Sequence, residues 1–490
     1  MNAKPNATQP LEPLLFEKGS PGRVGWSLPA ADVPEVDPES VLGQGAARGP
    51  IDGLPELSEV DVVRHYTRLS RLNYGVDVGM YPLGSCTMKY NPKLNEWAAR
   101  IPAFARSHPL QPAEISQGLL GLMHALEGIL REVSGMARVT LQPAAGAQGE
   151  LAGMLIVRAH HKAHGNPRHK VLVPDTAHGT NPASCALCDY EVVTIKSGPT
   201  GLLEPAAVAA HMDEEVAALM LTNPNTCGLF EKHIREIADI VHAKGGLVYY
   251  DGANLNALMG VAKPGHMGVD VMHFNLHKTF STPHGGGGPG SGPVGVTEPL
   301  ARYLPTPVVN FRDGQYVLDE VPESIGKMKS FHGHVGMHIR AYAYALALGG
   351  KGLAQSSRDA VLNANYVLER LRGAYHVPYD GRVMHECIVT DKRQNDHGVK
   401  TLDIAKRLMD YGYHPPTVYF PLVVPGALMI EPTESESLES LDAFVEAMLA
   451  IAGEAEREPE LVIGAPHTTP VARMDEVEAA RKPILRWKPA

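Results

Sequence analysis

The sequence predicts an α/β protein: a large domain on a mostly parallel sheet, followed by a small C-terminal α+β domain. Between residues 136 and 300, short apolar runs alternate with stretches of helical periodicity. Such alternation favours parallel strands with helices on both faces of the sheet. Ile234–Lys244 is typical of one such helix, which ends at Gly245. Four apolar runs are typical of the strands: Val171–Val173, Ala217–Leu221, Leu247–Tyr250 and Val269–Phe274.

This prediction divides the chain into three parts, of which the first two precede residue 336. Residues 1–60 are rich in proline, glycine and acidic side chains, and they indicate an extended N-terminal arm. The large α/β domain is expected over residues 61–335. Ser58 and Asp61 have the spacing of a capping box, which predicts a helix where that domain begins.

The third part, residues 336–490, is predicted to be the small α+β domain with an irregular tail. Cys387–Thr390 and Ala427–Glu431 are apolar runs of strand length, and Asp403–Tyr411 has helical spacing. Thr433 and Glu436 fit a capping box for a last long helix.

Composition excludes several classes of function. The net charge is −10 with no basic block, which argues against nucleic-acid binding. Five cysteines are too few and too irregular for a disulfide framework, and they suit a reducing compartment. The chain shows neither a secretory signal nor an apolar run long enough for a membrane span. We therefore expect a cytoplasmic protein without a membrane partner.

Two apolar runs end in side chains of opposite charge. One ends at Asp251, the next ends in His277 and Lys278, and a glycine-rich loop follows. A lone lysine after such a run is more often a solvated strand end. The combination favours a different interpretation, since pyridoxal 5'-phosphate (PLP) needs a lysine for its covalent link and a carboxylate that keeps its ring nitrogen protonated. We expect Lys278 and Asp251 to bind PLP and to be catalytic.

Two further segments suit the same cofactor. Gly146, Ala147 and Gln148 begin a helical stretch, where backbone N–H groups approach a phosphate easily, although an ordinary glycine turn has the same composition. His178 follows a predicted strand, and its imidazole is expected to stack on the pyridine ring as a third catalytic group. A loop histidine without a role is the alternative.

Four more side chains complete the predicted cofactor site. Asn225 and Thr226 can bond the phenolate oxygen of PLP, although a plain turn uses the same residue types. Ala253 is small enough to pack against the ring, and His277 is expected to contact the phosphate.

Other motifs do not support a different chemistry. The glycines of residues 285–292 match a dinucleotide fingerprint only by repetition, without its strand–turn–helix context. His160, His161 and His164 lack a carboxylate or cysteine that would complete a metal site, so no metal is predicted. No Gly-x-Ser-x-Gly elbow of a hydrolase occurs.

Taken in order, the motifs resemble those of the glycine decarboxylase P-protein family of the glycine cleavage system. The resemblance is to the second subunit of the two-chain bacterial form. The matching segments are Phe16–Arg23, Tyr66–Ser70, Tyr81–Pro92, Gln142–Glu150, Thr176–Ser184, Tyr250–Ala257, Asn275–Phe280 and Pro283–Gly290.

This resemblance implies the fold-type-I architecture of PLP-dependent transferases and an oxidative decarboxylation. Glycine would lose CO2, and its aminomethyl group would pass to the lipoyl arm of H-protein. A first subunit would be the partner in an α2β2 heterotetramer. The resemblance also assigns Lys278 as the Schiff-base lysine, Asp251 as the ring-nitrogen partner, His178 as the stacking residue and Gly146–Gln148 as part of the phosphate cradle.

Two alternatives stay open on the sequence. One is another fold-type-I PLP enzyme, such as an aminotransferase or a stand-alone amino-acid decarboxylase. The other is a non-catalytic subunit, against which the intact Lys278 argues. His332, His334 and Arg340 are candidates for binding the carboxylate of glycine, and Cys86 has either a redox or a packing role.

Overall fold

The structure is a computed structural model that describes residues 11–49, 51, 53–285 and 289–486. Its helices are α1 Pro38–Leu42, α2 Glu59–Ser70, α3 Lys93–Ala99, α4 Pro102–Ala105, α5 Gln117–Ser134, α6 Gly146–Ala163, α7 Thr180–Leu187, α8 Pro205–His211, α9 Ile234–Ala243, α10 Leu276–Thr279, α11 Val335–Leu371, α12 Thr401–Asp410, α13 Leu438–Arg457, α14 Pro459–Ile463 and α15 Glu476–Arg481. Its strands are β1 Arg138–Thr140, β2 Lys170–Pro174, β3 Glu191–Ile195, β4 Val216–Thr222, β5 Leu247–Gly252, β6 Val271–Phe274, β7 Val294–Val296, β8 Val308–Arg312, β9 Gln315–Asp319, β10 Cys387–Thr390, β11 Thr417–Val418 and β12 Ala427–Ile430.

The described residues form two compact units. One contains residues 1–75 with 464–490, as far as these are described, and the other is Val76–Ile463. The predicted boundaries at residues 60 and 335 differ from this division and stay predictions. In the first unit, Ser58 and Asp61 form the expected capping box of α2, with Ser58 Oγ accepting the Asp61 N–H at 3.2 Å. Residues 1–10, 50 and 52 of the predicted arm lie outside the described residues.

The main sheet of the second unit has seven strands in the order β1-β7-β6-β5-β4-β2-β3. Neighbouring strands pair in parallel along the spatial series β6-β5-β4-β2-β3. Strand β7 pairs antiparallel with both β6 and β1. The predicted mostly parallel sheet is therefore confirmed, including all four predicted strands. The sequence did not predict β1, β3 or β7, because these are short or partly polar.

Helices cover both faces of this sheet, as the alternating pattern requires. Tyr249 and Tyr250 of β5 are fully buried on opposite faces, each in a separate apolar cluster. Helix α6 lies close to the sheet because Gly153 faces the Tyr249 ring, where an added Cβ would lie 2.3 Å from a ring carbon. Packing on both faces fixes the strand ends that carry the polar side chains.

A second, antiparallel sheet, β10-β12-β11, supports the C-terminal part and packs with α12 and α13 in its own apolar cluster. The capping box predicted from Thr433 and Glu436 is wrong. Thr433 has a left-handed backbone (φ +64°), and the helix begins later, where Ser437 accepts the N–H of Ser440 at 3.3 Å. The structure also contains an unpredicted hairpin of β8 and β9. None of the described helices is both long and apolar enough to cross a membrane.

Candidate active site

The carboxyl ends of the parallel strands bring the predicted residues to one edge of the main sheet. Asp251 lies at the end of β5, where its register partners are Thr222 of β4 and His273 of β6. Lys278 follows β6 on the short helix α10, and His178 follows β2. Residues that are far apart in the sequence therefore lie close together at this edge. Ligands of open α/β sheets bind at the same edge.

Asp251 is a buried carboxylate with several hydrogen-bond donors. Asn181 Nδ2 donates to Oδ2 at 3.0 Å, the Ala253 N–H donates to Oδ1 at 2.9 Å, and His273 Nε2 lies 3.3 Å from Oδ1. Burial raises the pKa of Asp251, but His273, these donors and His178 together outweigh it and leave the pKa below its usual value. The carboxylate is therefore charged at neutral pH.

His273 holds Asp251 from the neighbouring strand. Its Nδ1 lies 2.8 Å from the hydroxyl of Tyr249, and burial lowers the pKa of the imidazole. A neutral ring that accepts a hydrogen bond from the tyrosine hydroxyl at Nδ1 carries its own proton at Nε2, the nitrogen that lies near Asp251. The pair thus holds one negative charge, which lies on Asp251.

His178 belongs to a hydrogen-bonded chain that leads to a second acid. Its Nδ1 lies 2.9 Å from Thr180 Oγ1, which donates to Glu150 Oε1 at 2.6 Å. Burial first, and the charge of Asp251 second, raise the pKa of Glu150 to about 7. Burial lowers the pKa of His178, so its ring is neutral, as an imidazole stacked on a cofactor ring would be.

Lys278 is 8% exposed, which contradicts the simple reading of a solvated strand end. Its charge contributes to the pKa of His178 and His273, and also to that of Cys86, Glu386 and Glu431.

The predicted phosphate cradle is the N-terminus of α6. Gly146, Ala147 and Gln148 are the first three residues of the helix, and no side chain of the described residues caps it. The Gln148 side chain is engaged elsewhere, since it accepts the Ala144 N–H at 2.7 Å and donates to Met328 O at 2.7 Å. Its contribution to an anion site would be its backbone N–H. A Cβ on Gly146 would lie 2.5 Å from Asn275 Oδ1, so a larger residue here would displace that side chain.

His277 lies beside this cradle. The Ser291 N–H donates to its Nδ1 at 3.2 Å, and a Cβ on Gly290 would lie 3.2 Å from the same atom. Burial lowers the pKa of His277 to about 3, so the ring is neutral and could offer an anion only its Nε2–H. Gly286, Gly287 and Gly288 of the neighbouring loop lie outside the described residues.

The remaining predicted residues differ in what they can offer a ligand. The Thr226 hydroxyl donates to Thr176 O, and its oxygen can still accept. Asn225 donates both amide hydrogens, to Gly201 O at 2.9 Å and to Glu231 Oε1 at 2.7 Å, so it has no donor left for a phenolate. Ala253 is partly exposed beside Asp251. Their roles towards the cofactor stay predictions.

The candidates for carboxylate binding are also partly engaged. Arg340 makes a two-pronged ion pair with Glu96, with N–O distances of 2.7 and 2.9 Å. His334 Nδ1 lies 2.7 Å from Gly290 O, which places this histidine against the glycine-rich loop. His332 is buried, and burial lowers its pKa to about 4.

Known proteins match this chain along nearly its whole length. A family model described as glycine cleavage system P-protein matches residues 89–315, and one described as glycine dehydrogenase, C-terminal domain, matches residues 356–464. A probable glycine dehydrogenase (decarboxylating) subunit 2 from Exiguobacterium sibiricum is 58% identical over 478 residues, which cover 97% of this chain and 97% of the relative. A Bacillus licheniformis protein of the same name is 56% identical over 477 residues, 97% of this chain and 98% of the relative. The chain belongs to the glycine dehydrogenase (decarboxylating) subunit 2 family.

Solved structures confirm the fold-type-I architecture predicted for this member of the glycine dehydrogenase family. An inhibitor-bound glycine decarboxylase (P-protein) of the glycine cleavage system superposes with a TM-score of 0.71 at 21% identity, over 84% of this chain and 94% of that chain. A glutamate decarboxylase from Lactobacillus brevis superposes with a TM-score of 0.63 at 14% identity, over 87% of this chain and 96% of that chain.

Sequence reasoning missed several residues that contact the predicted ones. Asn181 and Glu150 stand inside the quoted segments Thr176–Ser184 and Gln142–Glu150, so the motifs already contained them. His273 is the register partner of Asp251, which only the pairing of β5 with β6 reveals. Glu386 and Glu431 lie in the small antiparallel sheet region, where no motif indicated a site.

Proposed function

We propose that this chain is the PLP-carrying subunit of a glycine dehydrogenase that decarboxylates glycine. It acts in the glycine cleavage system and passes the remaining aminomethyl group to the lipoyl arm of H-protein. The observation that carries the proposal is that the charged Asp251 and the buried Lys278 follow neighbouring parallel strands at one edge of the sheet, in a chain of this family.

The residues present fit PLP. The carboxylate of Asp251 matches a protonated ring nitrogen, and the uncapped start of α6 matches a phosphate. Among the described residues, several buried polar atoms near Lys278 have no hydrogen-bond partner, which is expected of a site that binds a polar ligand: Asn275 Oδ1, Thr279 Oγ1, Thr282 Oγ1 and Ser291 Oγ.

When bound, PLP supplies the electron sink that makes loss of CO2 from an amino acid possible. Asp251 would hold a proton on the ring nitrogen, since its own pKa lies below the usual value. His178, neutral and partly enclosed, would cover one face of the ring and exclude water there. Lys278 would hold the cofactor covalently and yield its place to the amine of glycine.

The oxidant in this proposal is the disulfide of the lipoyl group. The electron pair left by the departing CO2 forms a carbon–sulfur bond, the S–S bond breaks, and the second sulfur takes a proton. The name subunit 2 of the relatives supports a first subunit as the partner. We expect the two subunits to form an α2β2 assembly in the cytoplasm.

The test combines cofactor mapping with a reaction that needs every component. We expect the full chain with its first subunit to bind PLP, and borohydride reduction to leave the pyridoxyl group on Lys278. Exchange of labelled CO2 into glycine should then depend on lipoylated H-protein. A pyridoxyl group on another lysine would contradict the site.

Decarboxylation that proceeds equally without H-protein would contradict the proposed function and favour a stand-alone amino-acid decarboxylase. Transamination of glycine would favour an aminotransferase. H-protein without its lipoyl group is the matched control, since it keeps the docking surface and lacks only the disulfide.

A further inference from the structure

Lys89 is a buried lysine in the segment Tyr81–Pro92, outside the predicted cofactor site. Its side chain is 2% exposed, and its ammonium lies among oxygen atoms from four separate parts of the chain. These acceptors are Asn256 Oδ1 at 2.9 Å, Thr279 O at 2.7 Å, the Tyr344 hydroxyl at 3.1 Å and Glu434 Oε1 at 2.7 Å. A buried ion pair often stabilises a fold no better than apolar side chains of the same volume. The position of Lys89 therefore needs an explanation other than stability.

Lys89 keeps its positive charge in this environment. Burial lowers the pKa of Lys89, but the charge of Glu434 and the Tyr344 hydroxyl outweigh it and leave the pKa above its usual value. The ammonium therefore has three N–H donors at neutral pH, and the four oxygen atoms around it can accept all of them. Glu434 is held in turn, since Asn256 Nδ2 donates to its Oε2 at 3.2 Å.

The bond to Thr279 connects Lys89 with the helix that carries Lys278. Helix α10 has only the four residues Leu276–Thr279, and Thr279 directly follows Lys278. The last carbonyl groups of a helix have no partner inside it, and a positive charge at that end is favourable. Lys89 Nζ provides both a donor and a positive charge for Thr279 O.

The chain just beyond α10 is held by the residues that follow Lys89. Ser281 Oγ donates to Tyr90 O at 2.6 Å, and Asn95 Nδ2 donates to Ser281 O at 3.3 Å. Ser281 has a left-handed backbone with φ of +54°, which is unfavourable for residues other than glycine. Such a conformation persists where the surrounding structure fixes it. Residues 89–95 therefore fix the C-terminal side of α10.

The main sheet fixes the other end of α10. The Leu276 N–H donates to Ser291 O at 3.0 Å, and Asn275 O accepts the N–H groups of Lys278 and Thr279 at 3.0 and 3.1 Å. Asn275 directly follows β6. A helix of a single turn has little stability of its own, so the orientation of α10 depends on the contacts at its two ends.

We propose that Lys89 is a positioning residue for Lys278. By holding Thr279 O, it fixes the C-terminal end of α10 and thereby the direction in which the Lys278 side chain leaves the backbone. Glu434 provides the counter-charge that lets the ammonium of Lys89 stay buried. This inference rests on the proposed function, because it assumes that Lys278 has to reach PLP and link to it.

The experiment measures the rate of the Lys278–PLP link separately from the stability of the fold. The full chain with its first subunit is freed of PLP and mixed with PLP, the absorbance of the link is followed over time, and thermal unfolding gives Tm. Lys89→Met keeps the length of the side chain and loses its donors. The rate should fall by about tenfold or more, because a small displacement of a reacting group has effects of this size. Tm should fall as well, since Glu434 loses its counter-charge.

Two further variants separate these effects. The double variant Lys89→Met with Glu434→Gln removes both charges of the ion pair, so Tm should recover most of its loss. The rate should stay low, because Thr279 O still lacks its donor. Glu434→Gln alone keeps the bond from Lys89 to Thr279, so its rate should stay close to the wild-type value although its Tm falls.

Lys170→Met is the matched control. Lys170 lies at the start of β2 and pairs with Asp213 at 2.8 Å, so its loss should leave the rate of the link unchanged. If Lys89→Met does not fold, the double variant and Glu434→Gln decide the outcome.

A double variant that links PLP at the wild-type rate overturns the inference, because Lys89 would then act only through stability. Glu434→Gln that links as slowly as the double variant also overturns it, because the rate would then follow the ion pair and not the bond to Thr279. A wild-type chain that never forms a link at Lys278 would instead contradict the proposed function, so the two failures are distinguishable.

Discussion

Asp251 and Glu386 are buried carboxyl groups that differ in how completely they are hydrogen-bonded. Asp251 accepts from Asn181 and from a backbone N–H, and His273 closes the network. Glu386 keeps one oxygen without a partner among the described residues.

This difference separates two uses of a buried carboxyl group. Full hydrogen bonding stabilises the ionised form and lowers the pKa of Asp251, which suits a charge that must stay constant. Burial first, and the charge of Glu431 second, raise the pKa of Glu386 well above its usual value, which favours its protonated form.

Lys278→Ala removes the residue that is proposed to bind PLP covalently, and it should have the largest effect. Decarboxylation should fall by about 10³-fold or more, because the covalent link is lost. Borohydride should leave no pyridoxyl group at position 278. Lys263→Ala, which removes an exposed lysine paired with Glu132, is the control and should keep both signals. Activity close to wild type in Lys278→Ala would refute the role of this residue.

Asp251→Asn tests the charge of the fully hydrogen-bonded carboxylate. The amide keeps the shape but not the charge, so PLP should remain bound while turnover falls by about 10²-fold. Steady-state rates and the PLP content of the variant would be measured together. Asp189→Asn, at an exposed position with a left-handed backbone, should leave both unchanged. Near-normal turnover in Asp251→Asn would mean that another group protonates the ring.

The sequence predicted the residues around Asp251 much better than those around Glu386. Asp251, His178 and Lys278 were found because each follows an apolar run, and parallel strands bring such positions together at one edge. Asn181 was overlooked although it stands three residues after His178, because its partner Asp251 belongs to a different strand. Hydrogen bonds between loops are set by strand neighbours, which local patterns do not encode.

Glu386 and Glu431 could not be predicted for a related reason. They become neighbours through the antiparallel register of β10 and β12, two strands separated in the chain by α12 and β11. The sequence predicted both strands but not their pairing. The misplaced capping box at Thr433 has a local cause, since a left-handed residue delays the start of α13.

Gly228→Ala tests the close packing of the turn at Gly228 against the backbone of Glu386. Gly228 has φ of +74°, and a Cβ would lie 2.2 Å from the backbone oxygen of Glu386. We expect a loss of stability of about 1–3 kcal/mol, because either the turn or β10 has to shift. Thermal or denaturant unfolding would measure it. Gly373→Ala, where nothing lies within 4 Å, is the control and should change stability little. Equal stability of the two variants would contradict the close packing at Gly228.

Asn181→Ala should have the smallest effect, because it tests a single hydrogen bond to Asp251. The substitution removes a hydrogen bond to a charged group, so turnover at neutral pH should fall by about tenfold. The asparagine lowers the pKa of Asp251, so its loss should raise that pKa. The carboxylate is needed in its ionised form, and the acid limb of the pH–rate profile should therefore move to higher pH. Asn166→Ala, an exposed change, should leave the profile in place. A uniform loss of rate at all pH values would show that Asn181 supports the site only through packing, and that the charge of Asp251 is set by His273 and the Ala253 N–H.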